Sequence, residues 1–265
     1  MNQTTIIFIG DIVGKAGRRT VKMLVPALRK EFQAHLVVAN GENAAGGFGL
    51  TSGIAEELFA VGVDVLTSGN HIWQQKEIFD YIVKQPRLIR PINASPETPG
   101  HGSCVVEASN GCRVAVINLL GRVFLDGYSC PFRAADAEIE RLRDDKALIV
   151  VDFHAEATAE KQALGWHLDG RVGAVIGTHT HVQTSDERIL PRGTAYLTDV
   201  GMTGAMDSVI GVEKELAIRK FLTALPVRFE AAMKQPELNG VVISFDNERR
   251  NALAIERLRR PLLDE

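Results

Sequence analysis

A chain of 265 residues, 45% hydrophobic and 24% charged, is long enough to bury a sizeable core, and its net charge of −3 offers no global attraction to nucleic acid or to an anionic membrane. No basic segment precedes the first apolar run, which Asp11 ends early, so neither a secretion signal nor a membrane span is expected and the chain reads as cytoplasmic. Cys104, Cys112 and Cys130 are odd in number and lack zinc-finger spacing, which fits idle thiols in a reducing compartment.

A first strand is expected at about Thr5 to Gly10, followed by a helix through VKMLVPALRKEF, where Val21, Leu24, Val25 and Leu28 have amphipathic spacing and Pro26 is a candidate kink. A second strand at Leu36 to Ala39 runs into the glycine-rich GENAAGGFGL loop. A helix near Gly53 to Val61 and a strand near Val63 to Thr67 complete a repeated strand, loop, helix rhythm. Beyond Pro86, SCVVEA and RVAVINLL flank Asn110-Gly111, a two-residue hairpin signal, so antiparallel strands enter. The helix AADAEIERLRDD, a strand from Ala147 to Phe153, a helix from Glu156 to Trp166 and a strand from Val172 to Ile176 follow. AYLTDVG and a final hairpin pairing VVISF with ALAIERL close the chain. Arg249, Arg250, Arg257, Arg259 and Arg260 read as a solvated hairpin face, without the aromatics of a stacking groove. No Pro, Gly or Ser-rich linker intervenes, so residues 1–265 are expected to form a single α/β domain. Its expected architecture is a four-layer α-β-β-α sandwich of two mixed β-sheets flanked by helices.

Five apolar runs, IIFIGD, LVVANGEN, VDVLTSGNH, LIVVDFH and AVIGTHTH, stop at a side chain able to bind metal. Taken singly, each such residue is an ordinary turn or cap residue. Taken together, they place Asp11, Glu42, Asn43, Asn70, His71, His154, His179 and His181 at strand carboxyl ends that could open on one crevice. His179 and His181, two apart on an extended segment, can face one side. Glu42 can bridge two cations, and Asp11 can hold one of them. Two divalent ions against two carboxylates leave uncompensated positive charge, suited to a phosphate ester. Gly10, Gly14 and Lys15 miss the phosphate-loop spacing, Gly47, Gly49 and Gly53 miss the dinucleotide fingerprint, and no nucleophile elbow occurs.

Read in order, GDIVG, NGEN, SGNHIW, VDFHAE and GTHTHVQT resemble the blocks of the calcineurin-like metallophosphoesterases, and GDIVGKAGR and NGENAAGG look like the bacterial 2',3'-cyclic nucleotide phosphodiesterase branch. Val13 stands where that superfamily has a histidine, and Glu42 where it has a bridging aspartate. The resemblance implies two divalent metal ions, Fe or Mn favoured over Zn or Co. Asp11, Glu42, Asn43 and His181 would hold one, and Glu42, Asn70, His154 and His179 the other. It implies in-line attack by a metal-bridging hydroxide with His71 as general acid, acting on a cyclic nucleotide such as 2',3'-cAMP or on RNA-derived cyclic phosphates. GRVFLDGYSCPF and LTDVGMTG are expected to border the substrate, and a homo-oligomer is an open expectation. Phosphomonoester or protein phosphatase activity, a nucleotide-binding signalling scaffold and a mononuclear iron oxygenase remain alternatives.

Overall fold

The computed structural model of the chain describes residues 3–263. The first third of the chain contributes β1 (Gln3–Ile9), β2 (Asp11–Ile12), α1 (Gly14–Glu31), β3 (Leu36–Asn40), α2 (Ser52–Ala60), β4 (Val65–Thr67) and α3 (Ile78–Lys84). The middle contributes β5 (Ser103–Glu107), β6 (Arg113–Leu120), α4 (Pro131–Arg141), β7 (Leu148–His154), α5 (Thr158–Leu168), β8 (Ala174–Thr178), β9 (Arg188–Ile189) and β10 (Ala195–Leu197). The end returns to the first sheet with β11 (Met202–Ala205), α6 (Lys214–Thr223), β12 (Pro236–Asp246) and β13 (Asn251–Pro261).

Two mixed sheets result, one ordered β2-β11-β12-β1-β3-β4 with β13 added on β12, the other β5-β6-β7-β8-β10-β9. Side chains alternate across a strand, so one apolar run can feed two cores. Ile7, Ile9, Val37 and Ala39 pack outward against Val21, Val25 and Leu28 of α1 and Leu58 of α2. Ile6, Phe8, Leu36 and Val38 point inward onto Val114, Val116, Leu148 and Val150 of the second sheet. On that sheet's far side Ile117, Val151 and Phe153 meet Ala135 of α4 and Leu164 of α5. Three successive cores make the four layers of the expected sandwich.

The elements differ from expectation mainly at their ends. α1 begins at Gly14, seven residues before the apolar stripe, and continues through Pro26. α2 is capped by Thr51, whose hydroxyl accepts the Ile54 amide at 3.3 Å. The hairpin over Asn110-Gly111 is longer than a two-residue turn: Glu107 pairs Arg113, leaving residues 108–112 as its connection. The final hairpin pairs Val241 with Arg257 and Phe245 with Ala252, across a bulge between Ser244 and Phe245. Among the described residues no helix is long and apolar enough to cross a membrane.

Candidate metal centre

β1, β3 and β4 are parallel, as are β6, β7 and β8, so the loops leaving each group open at one end of its sheet. The stacking of the sheets sets these ends side by side. All eight residues that break the apolar runs gather there, and Asp11, Glu42 and His154 are completely buried. Nothing in an apolar core would tolerate that concentration of charge without a compensating partner.

One donor set surrounds His154 Nε2, which lies 2.9 Å from Glu42 Oε1. From the same nitrogen, His179 Nδ1 is 3.0 Å away and Asn70 Oδ1 3.2 Å. The other ring nitrogens face acceptors. Thr178 Oγ1 donates to Asp152 Oδ1 at 2.6 Å, so it accepts from His154 Nδ1 at 2.9 Å, and His179 Nε2 lies 3.2 Å from Glu156 Oε2. These contacts aim His154 Nε2 and His179 Nδ1 at the shared point. Gly69 closes that side: a Cβ there would come within 2.3 Å of His154 Cδ2 and 2.4 Å of Glu42 Oε2. The space demands the one residue without a side chain.

A second donor set forms around Asp11. Its Oδ2 accepts the His179 amide at 3.1 Å, while its buried Oδ1 has no hydrogen-bond partner. The nitrogens nearest that oxygen are His154 Nδ1 at 3.7 Å and His181 Nε2 at 4.0 Å. His181 Nδ1 donates to the Ile210 carbonyl at 2.7 Å, which leaves Nε2 free to face Asp11. An orphaned buried carboxylate oxygen facing an unprotonated imidazole nitrogen is what a bound cation would satisfy. Asn43 lies between the sets with its amide nitrogen inward: Nδ2 is 3.2 Å from both Glu42 Oε1 and His181 Nε2. The expected oxygen donor instead meets His71 Nδ1 at 2.9 Å, so Asn43 joins the Asp11 set only if its amide turns end for end.

Electrostatics point the same way. Burial alone would raise the Glu42 carboxyl, but His154 beside it and their hydrogen bond bring it down to about 2. Burial disfavours a charged His154, yet Glu42 and then Asp11 hold its pKa up to about 9. The two groups thus form an ion pair, with the positive charge of His154 at the place a divalent ion would take over. Burial, followed by the charge of His154, drives His179 down to about 3, which keeps it a neutral imidazole donor. Desolvation raises Asp11 and lifts Asp152 to about 6.

His71 stands at the mouth. Its backbone N–H donates to Glu42 Oε2 at 3.0 Å, its ring meets Phe48 edge-on at 5.1 Å, and burial lowers its pKa against the opposing pull of Glu42. Outside it opens a cavity of about 360 Å³ walled by Phe48, Ile210, Val212 and Phe229. The two segments expected to border the substrate do not line it. GRVFLDGYSCPF meets the centre instead at Gly121, whose N–H donates to the His154 carbonyl at 2.9 Å, and at Tyr128, whose pKa is raised first by burial and then by Glu42. LTDVGMTG lies behind the site, because its strand β11 pairs with β2 and sets Met202 opposite Asp11. The walls come instead from loops at Gly46–Phe48, Ile210–Val212 and Phe229–Ala231, irregular segments without periodicity.

The supporting residues were also unassigned from sequence. Asp152 sits two before His154 on the same strand face, and Thr178 is directly opposite His154 in the β7/β8 register. Asn40 donates to Asp152 Oδ2 at 3.1 Å and accepts the Glu42 amide at 3.1 Å. Lys161, 1% exposed, pairs with Asp199 at 2.6 Å, and the same Asp199 oxygen accepts the Thr180 amide at 3.0 Å. Thr180 lies between His179 and His181, which both adopt positive φ, so this pair clamps the strained turn that presents both imidazoles. Polar residues near strand ends were the available signal. Their partners lie on other elements.

The sequence profile of the YmdB-like protein family matches residues 7–258. A 2',3'-cyclic-nucleotide 2'-phosphodiesterase of Bacillus subtilis (strain 168) is 52% identical over 253 residues, 96% of each chain. A crystal structure described as a novel phosphatase from Mycoplasma pneumoniae superposes with a TM-score of 0.93 at 39% identity, covering 98% of this chain and 94% of that one. A hypothetical protein from Thermus thermophilus gives 0.91 at 40% identity over 97% and 99%.

Proposed function

The chain belongs to the YmdB-like protein family as an enzyme of the phosphodiesterase class, and on that premise we propose that it hydrolyses 2',3'-cyclic nucleotides with two divalent metal ions. The observation that carries the reading is the convergence of Glu42, His154 and His179 ligand atoms on one point, beside a buried Asp11 oxygen that has no hydrogen-bond partner. Asp11, Glu42, His181 and a turned Asn43 would hold one ion. Glu42, Asn70, His154 and His179 would hold the second. Mixed oxygen and nitrogen donors suit Fe or Mn, and also Zn or Co. The ions, when bound, supply positive charge against the phosphate oxygens and a lowered pKa for the attacking water.

The rest is the work of the protein. Both sheets feed one site, which is why we read the chain as a single domain. His71 is held by its backbone to Glu42 and lines the cavity; with Asn43 turned, its Nδ1 would accept the Asn43 amide and its proton would sit on Nε2, from which it delivers that proton to the departing ribose oxygen. An alkoxide is a poor leaving group, so that proton is worth on the order of a hundredfold. The apolar walls around His71 exclude water and offer faces to a nucleoside. RNA-derived cyclic phosphates would reach the metals by the same route.

His71→Ala is expected to retain its metals by elemental analysis and to lose about a hundredfold or more in kcat on 2',3'-cAMP. Full turnover would remove His71 from the mechanism, and a panel including phosphomonoesters and phosphopeptides ranks the substrate classes.

A further inference from the structure

At the opposite end of the second sheet, an open cleft of about 470 Å³ is ringed by Arg143, Arg171, Arg192, Arg249 and Arg250. They come from four separate places: the turn after α4, the turn after α5, the β9–β10 connection and the tip of the β12–β13 hairpin. The cleft also contains Ala147 and Gly173, which precede the first residues of β7 and β8, whereas the metal centre lies past their last. Seven residues of β7 at about 3.3 Å each separate the two sites by roughly 20 Å.

The charge there is only partly neutralised, because three of the five arginines are paired and two are not. Arg143 pairs with Glu140 at 3.4 Å, Arg171 with Asp136 at 2.6 Å and Arg192 with Asp169 at 3.6 Å. Glu140 is the one carboxylate lining the cleft among the described residues. No described carboxylate pairs with Arg249 or Arg250, unlike Arg257, Arg259 and Arg260 of the same hairpin, which pair with Glu187, Glu237 and Glu31. The hairpin face is therefore not uniform: its strands are neutralised and its tip is not. Guanidinium groups from several directions match the tetrahedral faces of phosphate by forked hydrogen bonds. The floor is aliphatic, with Leu142, Ile149 and Val172, and the lining has no aromatic ring on which a base could stack.

We infer that this cleft is a second anion site, distinct from the metal centre, which takes a compact oligophosphate: inorganic polyphosphate or the phosphate chain of a nucleoside polyphosphate. It is independent of the phosphodiesterase reading.

The test is calorimetric titration of the metal-loaded protein with inorganic tripolyphosphate and with GTP, on wild type and on Arg249→Gln/Arg250→Asn. Asparagine at 250 suits the left-handed backbone there, φ 56. Saturable binding of one tripolyphosphate per chain is expected, weakened at least tenfold in the double variant and by added salt, with turnover of bis-p-nitrophenyl phosphate unchanged. Equal affinity for both ligands assigns recognition to the phosphate chain, and tighter GTP binding adds the nucleoside. Absence of saturable binding, or binding that survives the double variant and so resides at the metals, overturns the inference. Arg171→Gln provides a second variant, on another element, that must weaken binding too.

Discussion

The two sheets meet at the metal centre with different chemistry. The first brings oxygen, from Asp11, Glu42 and Asn70, while the second brings imidazole nitrogen, from His154, His179 and His181. Their supports differ accordingly. Carboxylates need donors, and those of Asp11 and Glu42 accept backbone N–H groups of His179 and His71. Imidazoles need acceptors, and theirs are Thr178 backed by Asp152, Glu156 and the Ile210 carbonyl. Asp11 of the first sheet is held by a residue following the second. The candidate site is thus a property of the seam: each sheet completes the other's hydrogen bonding, and neither assembles the cluster alone.

Breaking the seam at its closest point should have the largest effect. Gly69→Ala would press a methyl group between Glu42 and His154. The expected outcome is loss of bound metal by elemental analysis and at least about a thousandfold in kcat/KM, since the added methyl group would displace both Glu42 and His154. A variant with the wild-type metal content and normal turnover would show that the sheets meet more loosely than this. Next, Lys161→Met leaves Asp199 buried without its cation, a cost of about 3 kcal/mol, seen as a fall in Tm of roughly 10 °C. An unchanged Tm would mean that the histidine turn does not depend on this clamp. Asp152→Asn tests the nitrogen side alone. It weakens the acceptor behind Thr178 and should reduce metal affinity about ten- to a hundredfold, by competition with a chelator. If the metals bind as before, His154 needs no carboxylate behind it. The smallest effect lies away from the seam: burial pushes the Cys104 thiol up to about 12, so it stays protonated and unalkylated by iodoacetamide at pH 8. Rapid labelling there would show that β5, an edge strand, opens readily.

Much of this was legible in the chain itself. Apolar runs of four to seven residues ending in a metal-competent side chain are a local pattern, and those unbroken runs with their polar stops were enough to place the strands that carry the site. The residues that orient the site were not legible in the same way. Asp152 and Thr178 look like ordinary strand residues until the β7/β8 register sets Thr178 against His154. Lys161 looks like a solvated helix lysine until α5 packs it beneath the THTH turn. Arg249 and Arg250 read as part of a uniformly solvated hairpin, because nothing local says that their strand neighbours find carboxylates while the tip meets three other arginines.

What the sequence by itself determined is the run of strands around the site, their polar ends and the residues placed there, because each follows from an apolar run and its stop over a few residues. What only the tertiary structure decided is which donors share an ion-sized space, which acceptors hold them and which charges are left without a partner. Those are distances between segments more than a hundred residues apart, such as Glu42 and His154, and the packing of two sheets against one core brings them together.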